Sequence, residues 1–494
     1  MTMDPNSERD SAGRRASDNG EQDPPPPPQA PVEFLSLGRE SEAEDSRPFD
    51  LEPERVAAVQ EALAAGSREA LLETLDGLHA ADTADLLEQL PSKDRKKLIS
   101  AIGSDLQGEV LTELEPAARD AVLNEVEPAV LAEAVRGLET DDVVYVVGDL
   151  DPASQAEALA GLEPGELAAV RQSLGYPEYS AGRLMQRELV WAPPFLGVGD
   201  LLEKLRAEQD ELPEQFYEVI VVDPTFKPIG TAPLSRVLAA SQDVSLGEIM
   251  KEDFTLLTAT QPQEEVAYAF NQYHLVSAPV VDEDGRLVGV ITIDDAMQAL
   301  DEEAEEDLLR LGGVGEEELA DKVTTIVMRR FPWLAVNLVT AILASLVIGV
   351  FDAALEQVVA LAILMPIVAS MGGNAGTQTL TVAVRALATR NLTSTNALRI
   401  VGRETAVGLV NGLAFALVIG VVGYIWFGDA QLGLVLAAAM VINLLAAGLA
   451  GILIPIALDR LGADPALASG AFVTTVTDIV GFFAFLGLAV LVLL

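Results

Sequence analysis

Five long apolar segments in the last third of the chain constrain its fold more than any other feature. Each is long enough to cross about 30 Å of hydrocarbon as a helix that rises about 1.5 Å per residue. They cover residues 331–351, 358–384, 405–427, 432–458 and 470–494. The polar stretch GGNAGTQT (372–379) interrupts the second segment, which predicts irregular backbone at membrane depth. We therefore expect a membrane region with five spans behind a soluble region.

The arginines around these segments predict their orientation. Arg329 and Arg330 precede the first span, and Arg460 follows the fourth. Four more arginines lie between the second and third spans: Arg385, Arg390, Arg399 and Arg403. Basic residues collect on the cytoplasmic side of membrane proteins. We expect a multi-pass protein of the inner (plasma) membrane, with the N-terminus in the cytosol and the C-terminus outside.

The composition argues against several classes of function. With 76 acidic and 31 basic residues the formal net charge is −45, which argues against a nucleic-acid partner, because phosphate binding needs a basic face. There is no cysteine, and therefore no disulfide or thiolate metal site. The two histidines, His79 and His274, are interpreted as ordinary surface or core residues. No catalytic motif is present, so we do not expect an enzyme.

The soluble region begins with a tail and a repeat. Residues 1–50 are polar, contain PPPPP and predict a disordered tail. We predict a helical solenoid over 51–176, because apolar residues recur there every twelve positions and a helix-start residue follows most of them. The recurring residues are Leu78, Leu90, Ile102, Leu114, Val126, Leu138, Leu150, Leu162 and Leu174. A plain helical bundle is the alternative.

The next part of the chain contains two copies of a strand–helix unit. In the second copy, SAPVVDEDGRLVGVITIDDAM (277–297) predicts two strands around a turn and then a helix. This pattern resembles a CBS domain. We assign 241–298 to this copy and 177–240 to a degenerate first copy. CBS domains usually work in pairs as regulatory modules, and the resemblance makes ATP a candidate ligand of the pair.

An acidic run follows the second copy. DEEAEED (301–307) lies in a predicted connecting helix (299–328) that leads into the membrane domain (329–494). Glu303, Glu306 and Asp307 share one face of such a helix and repel each other. A solvated acidic face is the alternative interpretation. Beside the first span, cations that relieve this repulsion would act as a latch.

One carboxylate, Asp478, lies inside the last apolar segment. A charge at that depth costs roughly 3 kcal/mol on insertion scales, so it is expected to face water, a partner or a cation. The alternative is a structural contact with the hydroxyl of Thr474 or Thr475. An acidic soluble region joined to a membrane region with one buried acid indicates traffic in a metal cation. The predicted fold is multidomain α plus α/β, with solenoid, tandem CBS domains, connecting helix and five transmembrane helices.

Two motifs carry a resemblance over nearly the whole chain after the tail. They are MPIVASMGGNAGTQTLTVAVRALATRNL (365–392) and LGADPALASGAFVTTVTDIVG (461–481). Both resemble the MgtE magnesium channels and transporters, and the domain order agrees. The resemblance implies a homodimer in the lipid bilayer, with its pore between protomers. It also implies entry of Mg²⁺ into the cytosol, with closure by cytosolic Mg²⁺ at acidic domain interfaces.

The same resemblance implies roles for individual residues. Asp478 matches the pore carboxylate that binds hydrated Mg²⁺, and Glu356 matches an acid near the outer mouth. Asn374, with Gly373 and Thr474, is expected to line the pore. Regulatory Mg²⁺ is expected at acids of the cytosolic interfaces: Glu109, Asp141, Glu264, Asp295, Glu303, Glu306, Asp307 and Asp464.

The chain departs from the family pattern at a few positions. His274 and Tyr145 stand where acids are expected, and Thr377 stands where an asparagine is expected. Gly470–Ala471 replaces Asn-Pro in the last loop. Two alternatives stay open at this point. The first is a membrane-anchored sensor that transports nothing, and the second is transport of another dication such as Co²⁺ or Mn²⁺, because oxygen ligands suit several hard cations.

Overall fold

The computed structural model describes residues 51, 53–209, 212–213, 215–314, 323–467 and 470–494, without the side chains of Ser104 and Leu467. The predicted tail, 1–50, lies outside the described residues. Residues 53–494 form one unit, and its parts are described below in chain order.

Ten short helices form the first part. They are α1 (Pro53–Ala65), α2 (Arg68–Leu75), α3 (Ala80–Gln89), α4 (Ser92–Ile102), α5 (Gly108–Thr112), α6 (Pro116–Leu123), α7 (Pro128–Val135), α8 (Thr140–Val147), α9 (Pro152–Ala158) and α10 (Pro164–Leu174). Besides α3 itself, seven of them begin at a residue whose distance from Ala80 is a multiple of twelve positions. Most contacts join helices two or three positions apart. The predicted helical repeat is confirmed, and its stacking is that of a solenoid rather than a bundle.

Two small sheets form the CBS pair. The first part of the pair has α11 (Ala181–Leu184), β1 (Trp191–Ala192), α12 (Val198–Ala207), β2 (Glu218–Val222), β3 (Pro228–Pro233) and α13 (Leu234–Ala239). The second has α14 (Leu246–Ile249), β4 (Leu257–Thr258), α15 (Gln263–Tyr273), β5 (Ser277–Val281) and β6 (Leu287–Thr292). In each sheet the first two strands are parallel and the last two antiparallel.

Both copies have the same strand order and the same kinds of helix and strand, although the sequence of the first was interpreted as degenerate. Both sheets have the same strand order and the same irregularity near the end of the antiparallel pair. The central strands of the two sheets are buried alike, with Val219–Val222 in β2 and Ala278–Val281 in β5 all buried, so both strands are covered on both faces. The weak sequence signal therefore did not mean a weak fold.

The two copies also exchange their first helices. The backbone amides of Ala181 and Gly182 in α11 donate to carbonyls beside the second sheet, at Gln261 and Ala259. In the opposite direction, Leu246 of α14 belongs to the buried core of the first sheet. The pair is therefore interlocked, and a displacement of one copy is transmitted to the other.

The helix that leaves the second sheet continues through the acidic run. This helix, α16, spans Ile293–Leu311. The connecting helix thus begins earlier than the predicted residue 299, because nothing between Ile293 and the acidic run breaks the helix. Its predicted second part includes residues 315–322, which lie outside the described residues.

Five helices of the membrane part are long and apolar enough to span a bilayer. They are α17 (Val323–Gly349), α19 (Ala360–Ala388), α20 (Ala397–Phe427), α21 (Ala430–Arg460) and α22 (Gly470–Leu493), with the short α18 (Asp352–Gln357) after the first. Helices α19, α21 and α22 pack on each other, α20 packs on α21 and α17 on α22. The five predicted spans are confirmed.

Two details of the predicted spans were wrong. Helix α19 runs without a break through GGNAGTQT, because the glycines let α21 and α22 pack closely against it. Arg385, Arg399 and Arg403 lie in the ends of α19 and α20 rather than in a loop. Charged residues at these ends extend both helices beyond their apolar segments.

Candidate ion pathway and acidic interfaces

A polar stripe runs along one face of α19. Asn374, Gln378 and Thr381 follow each other at the spacing of one helix face, and all three are exposed in the single chain. Thr377, beside them, is also exposed, and its hydroxyl donates a 3.0 Å hydrogen bond to the Gly373 carbonyl. Gln378 and Thr381 were missed from the sequence, although polar residues at i, i+4 and i+7 in an apolar helix are the signal that could have found them.

An adjoining face of α19, with Gly373 and Gly376, packs against α22. A Cβ atom on Gly373 would lie 3.2 Å from Cγ2 of Thr474, and a Cβ atom on Gly376 would lie 2.5 Å from Cγ1 of Val473. Gly373 is buried in this contact, so it packs the two helices instead of presenting a surface to ions. Of the three predicted pore-lining residues, Asn374 lies on the exposed stripe and Thr474 is half-buried beside Gly373.

Asp478 is half-buried on α22. Within the described ranges it has no hydrogen-bond or ion-pair partner. The hydroxyls considered as its structural contacts are engaged elsewhere, since Thr474 donates to the Gly470 carbonyl at 2.7 Å and Thr475 to the Ala471 carbonyl at 2.5 Å. The carboxylate is therefore available to a group from outside this chain.

Glu356 lies in α18, between the first two spans, and is exposed. Helix α18 packs against α19 and α22, which carry the polar stripe and Asp478. Its position at this connection agrees with an acid at the outer mouth if the N-terminus is cytosolic.

Two acidic interfaces lie in the cytosolic part, and the first joins α8 to α16. We call it the N-domain interface and define it by Asp141, Asp142 and Asp295. Burial and, after it, the charge of the neighbouring Asp295 raise the pKa of Asp142 to about 7. Burial also raises the pKa of Asp295 to about 6 and that of Asp141 well above its usual range. Glu109 is exposed nearby and adds to the negative field at Asp142.

A contact beside this interface ties the solenoid to the CBS pair. The backbone amide and hydroxyl of Thr140, at the start of α8, donate to Glu188 at 3.2 and 2.7 Å. Asp295 accepts a 2.7 Å hydrogen bond from the Thr292 hydroxyl. Hydroxyl and amide groups of threonines thus donate to carboxylates at and beside this interface, and the ion pairs found among the described residues include none to Asp141, Asp142 or Asp295.

The second interface joins the CBS pair to the membrane part. We call it the membrane-side interface; its acids are Glu264, Glu303, Glu306, Asp307 and Asp464. Burial, followed by the charges of Asp464, Glu264 and Glu303, raises the pKa of Asp307 to about 6. Burial is also the main cause of the raised pKa of Glu264 and Glu303. The structure thus brings together at one interface five of the acids that the resemblance assigned to the cytosolic interfaces.

Arg310 bridges this interface. Its guanidinium forms ion pairs with Glu306 one turn earlier on α16 and with Asp464, which precedes the short turn Pro465–Leu467. The next residue, Leu311, packs against a buried cluster that includes Leu380 of α19 and Val473 of α22. The end of α16 is therefore docked on the cytosolic ends of the two helices that carry the polar stripe and Asp478.

Arg390 makes a second link between the same two parts. It follows α19 in a left-handed backbone conformation, with φ of 53°. Its guanidinium lies 3.3 Å from the Glu265 carboxylate and 4.4 Å from the centre of the Tyr268 ring, both on α15. Neither Arg310 nor Arg390 was assigned such a role from the sequence, because each pairs with residues far away in the chain.

The departures from the family pattern have local explanations. Tyr145 lies under the Arg119 guanidinium, 4.0 Å from Cζ to the ring centre, so an aromatic–cation pair occupies this position. His274 ends α15 in a left-handed conformation and is exposed. His79 caps α3, where its Nδ1 accepts from the Ala81 amide at 3.2 Å. Neither histidine belongs to a metal-binding group among the described residues.

Two other observations concern ligands. Over the part of the chain that the structure describes, no three acidic or histidine side chains are arranged to hold a metal ion. Between the CBS sheets lies a cavity of about 20 Å³, which is room for one water molecule rather than a nucleotide. Its lining includes Glu218, which accepts a 3.1 Å hydrogen bond from the Ser277 hydroxyl.

Three family profiles match the chain in the order of these parts. The profile of the MgtE intracellular N domain matches residues 78–179, that of the CBS domain matches 246–302, and that of the divalent cation transporter MgtE matches 365–488. The transporter profile thus covers α19 to α22, including the polar stripe and Asp478.

Relatives match along most of their length. The magnesium transporter MgtE of Thermus thermophilus is 33% identical over 90% of this chain and 99% of its own. That of Bacillus subtilis is 32% identical over 84% of this chain and 92% of its own. A crystal structure of the cytosolic domain of the Mg²⁺ channel MgtE in complex with ATP is 30% identical, covers 49% of this chain and 99% of that chain, and has a TM-score of 0.46. Because it is 32 to 33% identical to these two transporters over more than nine-tenths of their length, this chain belongs to the MgtE family of magnesium transporters.

Proposed function

We propose that the chain forms a gated pathway for hydrated Mg²⁺ that leads into the cytosol and is closed by cytosolic Mg²⁺. The observation that carries this proposal is the exposed polar stripe of Asn374, Gln378 and Thr381 on α19, together with the half-buried Asp478 of the adjoining helix α22, which has no hydrogen-bond or ion-pair partner among the described residues. Polar groups at membrane depth are expected to face protein or water rather than lipid. Exposed polar groups on α19, and on the adjoining helix α22 a carboxylate without a partner in the described ranges, fit the wall of an aqueous path.

A second copy of the chain is the partner that we propose to complete this path. It would cover the stripe and supply a second Asp478. In the cytosolic part, a cavity of about 210 Å³ opens between α15 and α16, with exposed apolar residues such as Met297 at its edge and Tyr273 and Val276 close by. An exposed apolar surface of this kind on a soluble domain fits a homodimer contact.

The chemistry of Mg²⁺ suits this arrangement. The ion holds its water shell tightly and prefers oxygen ligands. Two carboxylates that face each other across water could accept hydrogen bonds from that shell without removing it. Amide and hydroxyl groups along α19 would continue the same pattern toward the cytosol.

For gating, we propose that Mg²⁺ acts at the two acidic interfaces. Each brings carboxylates together at a desolvation cost that a dication would offset. At low cytosolic Mg²⁺ the acids repel, α16 leaves the ends of α19 and α22, and the pathway opens. The ion pairs of Arg310 and Arg390 supply a closing force that does not depend on Mg²⁺.

The experiment is a Mg²⁺ flux assay in liposomes with the cytosolic face exposed to either low or high Mg²⁺. We expect flux at low Mg²⁺ and its suppression at high Mg²⁺. Asp478→Ala should abolish Mg²⁺ uptake into Mg²⁺-starved cells while the dimer still forms. Equal flux at both Mg²⁺ levels would reject the gate, and absence of flux under all conditions would favour a sensor. Competition by Co²⁺ and Mn²⁺ in the same assay determines which dications pass.

ATP binding by the CBS pair stays a prediction. The cavity between the sheets would have to open to admit a nucleotide, so binding should move the two sheets apart. Calorimetric titration of the purified protein with ATP tests this, and a Glu218→Ala variant probes the lining residue that interacts with Ser277.

A further inference from the structure

Asn443 lies in the middle of α21 and is completely buried where this helix packs on α19 and α22. Its Nδ2 donates a 2.7 Å hydrogen bond to the Val368 carbonyl of α19. Its Oδ1 is buried and has no hydrogen-bond partner among the described residues. A half-satisfied amide inside an apolar helix bundle is costly, so this contact constrains the helices around it.

The amide fits between two glycines on different helices. A Cβ atom on Gly481 of α22 would lie 2.8 Å from Nδ2 of Asn443, closer than real Cβ contacts. A Cβ atom on Gly372 of α19 would overlap the same amide. Only glycine at both positions lets α21 insert this side chain, and the amide therefore sets the distance between α19 and α22 at this height.

Asn443 contacts α19 and α22 at the same level along these helices as the residues of the proposed pathway. Gly372 precedes Asn374 by two residues, and Gly481 follows Asp478 by one helical turn. Gly372 and Gly481 are buried toward α21, whereas Asn374 is exposed and Asp478 half-buried. Asn443 thus contacts α19 and α22 on the surface that they turn toward α21, whereas Asn374 and Asp478 lie away from this contact.

We propose that Asn443 is a positioning residue for ion selection. It fixes the spacing and rotation of α19 relative to α22, and with them the alignment of Asn374 and Asp478. A path that binds ions through their water shell selects them by its width and by the direction of its oxygen atoms. This inference rests on the proposed function and deepens it, because it assigns selectivity to a residue that no ion touches.

The first test replaces the amide by an apolar side chain of similar size. Asn443→Leu should change the ratio of Mg²⁺ to Ca²⁺ flux in liposomes by about threefold to tenfold, the range expected from an interhelical hydrogen bond in a membrane protein. Asn411→Leu is the matched control, because Asn411 is exposed on α20, and it should leave the ratio unchanged. A purely structural role would lower both fluxes in proportion to the folded protein. An unchanged ratio in Asn443→Leu overturns the inference.

The second test acts from the glycine side. Gly481→Ala should shift the flux ratio in the same direction as Asn443→Leu, while Gly402→Ala, which adds a methyl group with nothing within 4 Å, should not. In an Asn443→Ala background the added methyl no longer meets the amide, so the effect of Gly481→Ala should shrink. An equal effect in both backgrounds would contradict the proposed contact.

Asp478→Ala in the same assay separates this inference from the function on which it rests. If Asp478→Ala leaves the flux intact, the pathway itself is misplaced. If Asp478→Ala abolishes the flux but Asn443→Leu and Gly481→Ala both keep the wild-type ratio, the pathway stands and the role of Asn443 is rejected.

Discussion

The two acidic interfaces of the cytosolic part differ in what holds them together. At the N-domain interface, Asp141, Asp142 and Asp295 meet beside further carboxylates, and the charges that shift the pKa of Asp142 are all negative. At the membrane-side interface, Arg310 bridges two of the acids, and Leu311 adds an apolar contact. The carboxylates of the first interface thus need protons or a dication from solution to neutralise them. At the second interface Arg310 supplies part of the neutralising positive charge. We therefore expect Mg²⁺ sensitivity to be greatest at the N-domain interface.

The largest effect is expected from Asp142→Asn. A pKa raised from 3.8 to about 7 corresponds to a cost on the order of 4 kcal/mol for the ionised group at alkaline pH, at about 1.4 kcal/mol per pKa unit. Removing that charge should let the solenoid dock on the CBS pair without Mg²⁺. Limited proteolysis in Mg²⁺-free buffer at pH 8 should then show protection that the wild type gains only with Mg²⁺. Asp76→Asn, at an exposed position, is the control. Equal cleavage of the wild type, Asp142→Asn and Asp76→Asn in Mg²⁺-free buffer would contradict the expected Mg²⁺ sensitivity of the N-domain interface.

The second prediction concerns pH. Because the docked form raises the pKa of Asp142 and Asp295, it binds more protons than the undocked form between about pH 4 and 7. Docking without Mg²⁺ should therefore weaken as the pH rises through this window and strengthen as it falls. Proteolytic protection measured from pH 8 to 5.5 checks the sign. Protection that is lost on acidification would contradict it, and Asp142→Asn should flatten the profile.

A smaller effect is expected from Arg310→Gln at the membrane-side interface. The ion pairs of Arg310 are partly exposed, and charge-assisted bonds of this kind contribute about 1–2 kcal/mol. Their loss should raise the Mg²⁺ concentration that half-closes the pathway by roughly 5- to 30-fold. The measurement is liposome flux against cytosolic Mg²⁺, with Arg171→Gln on the exposed side of α10 as control. A half-closing concentration that stays the same or falls would show that Arg310 is no latch.

The smallest effect is expected from Arg390→Gln. This arginine combines an exposed ion pair with a cation–π contact, together worth about 1 kcal/mol. The half-closing Mg²⁺ concentration should rise by about fivefold or less. Arg399→Gln, also exposed on the cytosolic side of the membrane part, should leave it unchanged. If the half-closing Mg²⁺ concentration rose more in Arg390→Gln than in Arg310→Gln, the prediction that Arg310 is the stronger of the two links would be wrong.

The features of the fold that could be predicted from the sequence are those that depend on local periodicity. The five spans followed from apolar length, and the solenoid followed from the twelve-residue spacing, because both patterns determine how a segment buries its own surface. The five acids of the membrane-side interface followed from the family resemblance. The contact between Arg310 and Asp464, however, joins residues 154 positions apart, and no local pattern indicates such a pairing.

The remaining differences have a shared physical cause. The glycines of α19 predicted a broken helix, yet their neighbours on α21 and α22 turned them into packing positions. Asn443 gave no signal in the sequence, since one amide in an apolar helix is compatible with many environments. In each case the local structure is determined by contacts with residues on another element, which the local sequence does not identify.

The most direct measurement is Mg²⁺ flux through Asp478→Asn in liposomes, compared with Asp429→Asn. Both changes remove one carboxylate from the membrane part, but Asp429 caps the start of α21, and asparagine can keep that role. The account predicts that Asp478→Asn loses Mg²⁺ flux while Asp429→Asn and the wild type conduct equally. Wild-type flux through Asp478→Asn would contradict the claim that hydrated Mg²⁺ passes beside this carboxylate.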